Sequence, residues 1–314
     1  MGAPRGYHAA MQTSRVPIAD GVELAVDTWE PAAGPALPGV TPEGAQPAPG
    51  GASSAPAFVL VHGLASNARL WDGVAARLAE CGHRVVTVDL RGHGRSSKPD
   101  GPYDVPTVAG DVAALIAALG LERPVVAGQS WGGNVVLELA ARHPTLVRGA
   151  ACVDGGWLEP GTVFPDWEAC LAALAPPRLA GRPLADIERH VRAAHPDWPE
   201  PGIRGTLANF EVRSDGTIAP WLTYERHIAV LRGLWEHRPS ALYATLDVPV
   251  LLLPVEGDRH QSPERKRSEV ERARAAIPRA RVHWFSGDHD VHAQHPVEVA
   301  EILHAATTDG FFAP

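Results

Sequence analysis

The ten residues VVAGQSWGGN, at positions 125–134, join an apolar strand to a helix through a turn of only five residues. Gly128 and Gly132 stand two positions either side of Ser130, and they remove the Cβ atoms that would clash in so sharp a turn. Such a turn lifts the Ser130 hydroxyl clear of the carboxyl edge of a sheet, at the N-terminus of a helix. The positive end of the helix dipole favours developing negative charge there. The segment therefore predicts a serine nucleophile.

The rest of the chain alternates short apolar runs with amphipathic stretches. The runs are apolar at successive positions, which is typical of parallel strands buried between helices. We therefore expect an α/β fold with a mostly parallel central sheet and helices on both faces. The predicted strands cover residues 57–61, 84–90, 124–127, 147–153, 248–254 and 281–285, the predicted helices cover 69–79, 105–119, 132–142, 263–277 and 296–306, and a hairpin is expected over 16–26.

Two segments depart from this alternation. Residues 31–56 consist mostly of Pro, Gly, Ala and Ser, and a segment with so few bulky apolar residues cannot repay its own ordering entropy. We expect them to form a flexible insertion in a surface loop. Residues 155–241 are rich in aromatic residues and proline and lack a strong strand signal, so they predict a helical cap on the sheet. The expected α/β core then comprises residues 1–154 and 242–314.

A serine hydroxyl needs a base to remove its proton, and a neutral imidazole is the usual base near neutral pH. The chain has 15 histidines, so position must select among them. Functional groups gather at the carboxyl ends of the strands in a parallel sheet, which places the base just after the last strand. His289 is the preferred candidate, and His292 is the second.

A third group should orient this imidazole from the end of a preceding strand. Asp258, in the loop that follows the strand at 248–254, is the preferred acid. Glu256 in the same loop and Asp154, after the strand at 147–153, remain open as alternatives. The oxyanion of an acyl-transfer reaction needs two aligned backbone N–H groups. We assign these to Trp131, directly after the nucleophile, and to Leu64, in the loop after the first parallel strand.

These motifs together resemble those of the serine-type α/β-hydrolase-fold superfamily. The matching pieces are VHG at 61–63, DLRGHGRS at 89–96, GQSWG at 128–132, residues 251–258, and His289 seven residues ahead of Pro296. They follow the order of that family, in which the nucleophile precedes the acid and the acid precedes the histidine. The resemblance implies an α/β-hydrolase fold with a helical cap and a catalytic triad of Ser130, Asp258 and His289.

The resemblance also implies hydrolysis of a carboxylic ester or lactone through an acyl-enzyme. Thioester, amide and carbon–carbon bond hydrolysis and cofactor-free perhydrolysis share this triad, and a non-catalytic ligand-binding receptor is a further alternative. Ser130 stands in the turn at 128–132 where a dehalogenase would have a carboxylate, which argues against dehalogenase chemistry. Aromatic residues of the predicted cap suggest an apolar or aromatic substrate. The candidate pocket residues are His62, Trp157, Trp167, Trp221, Tyr224 and Trp235.

A metal hydrolase is the rival chemistry, because the stretch 288–295 is dense in His and Asp, but the chain has no HExxH pattern. We expect no metal and no cofactor. Cys81, Cys152 and Cys170 form neither a disulfide framework nor a CxxC pair, and we expect them to be small buried apolar residues.

Composition restricts the partners of the chain. Its 314 residues include 28 Lys and Arg against 36 Asp and Glu, a formal net charge of −8, which disfavours nucleic acid. No apolar run reaches the roughly 18 residues that a membrane span needs, and the N-terminal residues lack the apolar region of a signal peptide. We expect a cytoplasmic monomer or homodimer that acts on a small molecule, without a nucleic-acid or membrane partner.

Overall fold

The computed structural model describes residues 11–19, 21–31, 55–256 and 262–313. Most of the predicted insertion at 31–56 lies outside these residues, as does Asp20 of the predicted hairpin turn. The described part of the hairpin agrees with prediction, because its two strands pair antiparallel with Val16 opposite Leu24. Gly21 at the turn has φ of 71°, a backbone conformation that favours glycine.

The strands of the described residues form one large sheet and one small one. Their bounds are β1 (Met11–Pro17), β2 (Glu23–Trp29), β3 (Phe58–Val61), β4 (Val85–Val88), β5 (Val125–Gln129), β6 (Gly149–Val153), β7 (Phe210–Val212), β8 (Ile218–Pro220), β9 (Val250–Leu253) and β10 (Ala280–Val282). The large sheet has the order β1-β2-β4-β3-β5-β6-β9-β10. Its pairs are parallel from β4 to β10, and only β1 with β2 and β2 with β4 are antiparallel. The prediction of a mostly parallel sheet is confirmed.

Helices cover both faces of this sheet. Their bounds are α1 (Asp72–Glu80), α2 (Val105–Ala118), α3 (Trp131–Arg142), α4 (Pro160–Val163), α5 (Trp167–Leu174), α6 (Leu184–Ala194), α7 (Glu200–Leu207), α8 (Tyr224–Glu236), α9 (Pro263–Ala276), α10 (Val291–Gln294) and α11 (Pro296–Thr308). Val126 of β5 belongs to the same core as residues of α2, α3 and α9, whereas Val125 and Ala127 belong to a core with residues of α1 and α11. Successive strand residues thus enter different cores, which explains why the strands are apolar at every position.

The segment between β6 and β9, which contains the predicted cap, carries α4 to α8. It also contains an antiparallel pair of strands, β7 and β8, where the sequence gave no strong strand signal. Each of these strands is three residues long, too short to show an alternating pattern. Ile187, Trp198 and Ile218 of this segment form a small core together with Leu70 and Ala293. The segment therefore packs against Leu70, which lies between β3 and α1, and against Ala293 of α10.

No helix within the described ranges is both long enough and apolar enough to cross a bilayer.

Candidate active site

The predicted nucleophile, Ser130, lies in a left-handed turn between β5 and α3. Its backbone has φ of 53° and ψ of −122°, which is strained for a residue with a side chain. A Cβ at Gly128 would overlap the carbonyl of Gly132, and one at Gly132 would overlap the carbonyl of His62. Ser130 donates its N–H to Val153 of the neighbouring strand over 2.9 Å. The two glycines therefore permit the close approach that exposes the serine, as the sequence predicted.

Asp154 occupies a second left-handed turn, at the carboxyl end of β6. Its φ is 41°, and its side chain is 1% exposed. A Cβ at the following residue, Gly155, would overlap the carbonyl of Ser130, so the two turns are in direct contact. Val255, just beyond β9, donates its N–H to Asp154 Oδ1 over 3.1 Å. Because β6 lies between β5 and β9 in the sheet, the turn at Asp154 lies between the ends of these two strands.

His289 lies in the loop between β10 and α10, and its ring contacts Asp154. Nδ1 of the ring is 2.6 Å from Asp154 Oδ2. An ionised carboxylate only accepts hydrogen bonds, so Nδ1 carries the proton and Nε2 is the basic nitrogen of the neutral ring. Gln129 Nε2 donates to the backbone carbonyl of His289 over 3.1 Å and fixes the loop. His289 and Ser130 line the same cavity, of about 590 Å³.

The three candidate acids differ in placement. Asp258, the preferred candidate, lies in residues 257–261, outside the described part of the chain. Glu256 is half-exposed and pairs with Arg267 over 2.7 Å at the surface. Asp154 is the candidate acid that the described residues place on the His289 ring. Asp154 is therefore the acid that the described contacts support, and Asp258 stays a prediction.

Lys266 of α9 is a site residue that the sequence analysis missed. Its Nζ lies 2.9 Å from both carboxylate oxygens of Asp154 and 3.3 Å from the carbonyl oxygen of Val255. A lysine in a charged amphipathic helix normally faces water, so the sequence carries no signal of this contact.

The predicted oxyanion donors lie beside the nucleophile. Leu64 and Trp131 both line the cavity that contains Ser130. The loop of Leu64 runs close to the nucleophile, because a Cβ at Gly63 would lie 3.1 Å from Ser130 Cβ and would overlap Oε1 of Gln129. Ala65, next in the loop, has a left-handed φ of 58°. The loop of Gly63 thus lies against the serine turn, and the role of the Leu64 and Trp131 N–H groups stays a prediction.

Two other candidate histidines have buried positions. The His62 ring lies between the Gly63 carbonyl at 2.7 Å and the Leu90 N–H at 3.0 Å, and burial lowers its pKa. His62 therefore lines neither the cavity of Ser130 nor a second cavity, which contains Trp221 and Tyr224. His292, the second candidate base, is fully buried against Trp71, with ring centroids 4.4 Å apart. Burial lowers the pKa of His292 to about 3, and its ring packs in the core.

The aromatic residues predicted to line a pocket are divided among three places. Trp221 and Tyr224 line a second cavity of about 430 Å³, which adjoins the first at His227. Trp157 is 2% exposed and belongs to the main core. Trp167 and Trp235 pack edge to face, with centroids 6.2 Å apart, and line neither cavity.

The cavity of Ser130 is lined mainly by apolar side chains. These are Leu64, Trp131, Leu158, Pro160, Val163, Phe164, Leu174, Leu231 and Leu234. His227 also lines this cavity, and desolvation lowers its pKa to about 4, so its ring is neutral at pH 7. Glu159, Ser262, Arg265 and Glu269 complete the wall, which is therefore mainly apolar with a few polar and charged groups.

The His and Asp side chains at 288–295, considered above as metal ligands, have other contacts. Asp288 Oδ2 lies 3.3 Å from His195 Nδ1 and accepts from Trp198 Nε1 over 3.1 Å, which ties the loop to the predicted cap. Within the described ranges, no group of three His, Cys, Asp or Glu side chains is arranged to hold a metal ion.

The sheet order, together with a serine turn after β5 and a histidine after the last strand, is typical of the α/β-hydrolase fold. A family model described as alpha/beta hydrolase fold matches residues 56–196. An uncharacterized protein of Mycobacterium tuberculosis is 39% identical over 105 residues, which cover 33% of this chain and 30% of that protein. This chain thus spans less than a third of the length of that relative.

The 2-(acetamidomethylene)succinate hydrolase of Mesorhizobium japonicum is 29% identical over 210 residues, 66% of this chain and 72% of that enzyme. A crystal structure of E-2-(acetamidomethylene)succinate hydrolase superposes with a TM-score of 0.72 at 23% identity, covering 96% of this chain and 100% of that one. At this identity the superposition shows the fold. The chain has the α/β-hydrolase fold, and its residues 56–196 match the model of that family, in agreement with the resemblance noted from its motifs.

Proposed function

We propose that the protein is a serine hydrolase that cleaves a carboxylic ester or lactone of an apolar or aromatic small molecule through an acyl-enzyme. One observation carries this proposal. Ser130 and His289 line a single cavity, and Asp154 accepts a hydrogen bond from Nδ1 of His289 over 2.6 Å. A nucleophile, a base and a group that orients the base are the three parts that acyl transfer to serine requires.

The reaction begins with attack of Ser130 Oγ on the substrate carbonyl, while His289 Nε2 takes the hydroxyl proton. The tetrahedral oxyanion is held by the N–H groups of Leu64 and Trp131. Its collapse breaks the C–O bond, and His289 returns the proton to the leaving alkoxide. Water then attacks the acyl-enzyme carbonyl while His289 Nε2 takes a proton from it, and His289 passes that proton to Ser130 Oγ as the bond from the acyl carbon to Oγ breaks and the carboxylic acid leaves. Asp154 keeps the ring in the Nδ1–H tautomer.

The lining of the two cavities supports the substrate class. The apolar wall around Ser130 suits an alkyl or aryl acyl group, since apolar pockets bind such groups by removing them from water. His227 lines both cavities, so the other part of the substrate would pass this neutral imidazole toward Trp221 and Tyr224. The predicted cap thus supplies most of the apolar wall and the core supplies the reacting groups.

A second candidate substrate class is a small molecule that carries a carboxylate. Arg178 and Arg213 line the second cavity with one acidic residue, Glu225, so its rim carries net positive charge. The relative from Mesorhizobium japonicum is named for a succinate derivative, which is also an acid. Turnover of 2-(acetamidomethylene)succinate that exceeds turnover of neutral esters would favour this class.

The proposal is tested with p-nitrophenyl esters of increasing acyl length, with aryl lactones, and with a fluorophosphonate that labels activated serines. We expect hydrolysis that improves with acyl length and one phosphonate adduct per chain. Ser130→Ala should lose the adduct and lower kcat by a factor on the order of 10⁶. Ser262→Ala, a serine in the wall of the same cavity, should still form the adduct. Turnover or labelling that survives in Ser130→Ala contradicts the proposal.

A further inference from the structure

Lys266 places a buried positive charge directly on the proposed triad acid. Its side chain is 4% exposed and that of Asp154 is 1% exposed. The ammonium lies at 2.9 Å from each oxygen of the carboxylate. Taking two charges out of water costs several kcal/mol each, and only close pairing repays that cost. A lysine is therefore held in this position against a strong preference for solvent.

The neighbours of Lys266 on α9 show that this burial is specific to one position. Arg265 pairs with Glu269 over 2.8 Å, and Arg267 pairs with Glu256 over 2.7 Å, with both guanidinium groups in contact with solvent. The chain contains only two lysines among its 28 basic residues, so lysine is the rarer choice for a cation here. An ammonium is a compact point charge, whereas a guanidinium is a wide planar fork. The buried space beside Asp154 thus holds the smaller of the two cations.

The contacts of Asp154 indicate what this cation does. Oδ1 accepts from the Val255 N–H and from Lys266, and Oδ2 accepts from Lys266 and from His289 Nδ1. The donors on Oδ1 prevent the carboxylate from rotating, so Oδ2 stays directed at the imidazole. The ammonium thus holds in place the carboxylate that accepts from His289 Nδ1.

We infer that Lys266 is a positioning residue, which fixes the orientation of Asp154 and through it the tautomer and direction of His289. This inference rests on the proposed function. Its effect falls on the step in which His289 takes a proton from Ser130, since a misdirected base lowers the rate of proton transfer. Lys266 lines neither cavity in the described residues, so substrate binding should depend on it little.

The test compares Lys266→Met, Lys266→Arg and the control Arg267→Met in the full chain. With a p-nitrophenyl ester, we expect Lys266→Met to lower kcat roughly 10–100-fold with KM changed less than about twofold, because a small displacement of a catalytic group has effects of that size. Lys266→Arg keeps the charge in a larger group and should lie between Lys266→Met and the wild type. Arg267→Met, which removes a surface pair next to it, should leave kcat, KM and the thermal midpoint near those of the wild type.

A double-mutant cycle separates positioning from a merely structural role. If Lys266 acts through Asp154, Lys266→Met should cost little further kcat in an Asp154→Asn background, so the two losses are not additive. Losses that multiply, or a fall in thermal stability with no specific fall in kcat, would overturn the inference.

A spectroscopic readout makes the inference independent of turnover. The proton on His289 Nδ1, hydrogen-bonded to a buried carboxylate, should give a resolved downfield NMR signal that His289→Gln removes. We expect this signal to broaden or move in Lys266→Met and to persist in Arg267→Met; an unchanged signal in Lys266→Met overturns the inference.

Should Lys266→Met fail to fold, the same measurement on Lys266→Arg decides, with a shifted signal supporting the role and an unshifted one contradicting it. A wild type that gives the signal but forms no phosphonate adduct would contradict the proposed function instead.

Discussion

The turns at Ser130 and Asp154 form a pair with the same backbone strain and opposite surroundings. Both residues directly follow neighbouring parallel strands, and both carry side chains at left-handed φ angles, of 53° and 41°. Glycines allow close contact at each turn: Gly128 and Gly132 near Ser130, and Gly155 next to Asp154. Ser130 lines a cavity, whereas the carboxylate of Asp154 is buried. Such conformations persist only where the surrounding structure enforces them. The comparison teaches that the site stores strain at the proposed acid as well as at the proposed nucleophile.

The largest effect expected from this comparison is that of Asp154→Asn. An amide cannot hold the Nδ1–H tautomer as a carboxylate does, so kcat should fall by about 10⁴-fold. Glu256→Gln, which changes an exposed carboxylate of the adjacent loop, should alter kcat only slightly. Asp258→Asn completes the set, and steady-state kinetics on the three variants checks the ranking. A larger loss in Asp258→Asn than in Asp154→Asn would move the acid to the loop after β9.

Gly155→Ala tests the contact between the two turns. A methyl group at this position overlaps the carbonyl of Ser130, so one of the turns must shift. Overpacking of this kind costs about 1–3 kcal/mol of stability, and the displaced serine should lose roughly 10–100-fold in kcat. Gly110→Ala is the matched control, because a Cβ there meets nothing within 4 Å and stands in helix α2. Circular dichroism melts and ester kinetics on both variants provide the measurement; normal activity in Gly155→Ala would show that the turns are independent.

The smallest effect concerns His227, in the wall of the cavity onto which the serine turn opens. Its pKa in the folded protein is lowered to about 4 by desolvation, against about 6.5 in an unfolded chain. Between these values the unfolded chain binds more protons, so acidification from pH 6.5 to 4 lowers the free energy of unfolding. His227→Phe removes this contribution, and its thermal midpoint should fall less over that window than that of the wild type. An equal fall in both proteins would contradict the burial of a neutral His227.

Other groups, among them His292 and Asp72, act in the same pH window and remain in both proteins. His292, with a pKa lowered to about 3 by burial, adds a contribution of the same sign. Asp72 acts oppositely, because burial raises its pKa to about 6, and the stability that this gives is lost as the pH rises from about 4 to 6. The difference between the wild type and His227→Phe therefore isolates one residue, whereas the total pH dependence does not.

The sequence predicts the sheet well, because its strands are apolar at every position and the helices between them carry regular apolar faces. Ser130 and His289 follow from local signals, a glycine-bounded turn and a position after the last strand. The contact of Asp154 with His289 depends on β6 lying beside β9. The sequence of a strand does not indicate which strand lies beside it in the sheet. The Asp-Gly-Gly stretch at 154–156, directly after a buried strand, is the signal that could have raised the rank of Asp154. Lys266 and the β7–β8 pair had no comparable local signal.

Gln129 has a role that reaches beyond its own strand. Its amide donates to the backbone of His289, while its Oε1 fills the space that a side chain at Gly63 would need. The residue before the nucleophile is therefore a spacer between two loops that meet only in the folded protein. A shorter residue at position 129 would therefore loosen the loop of Gly63 and the loop of His289 together.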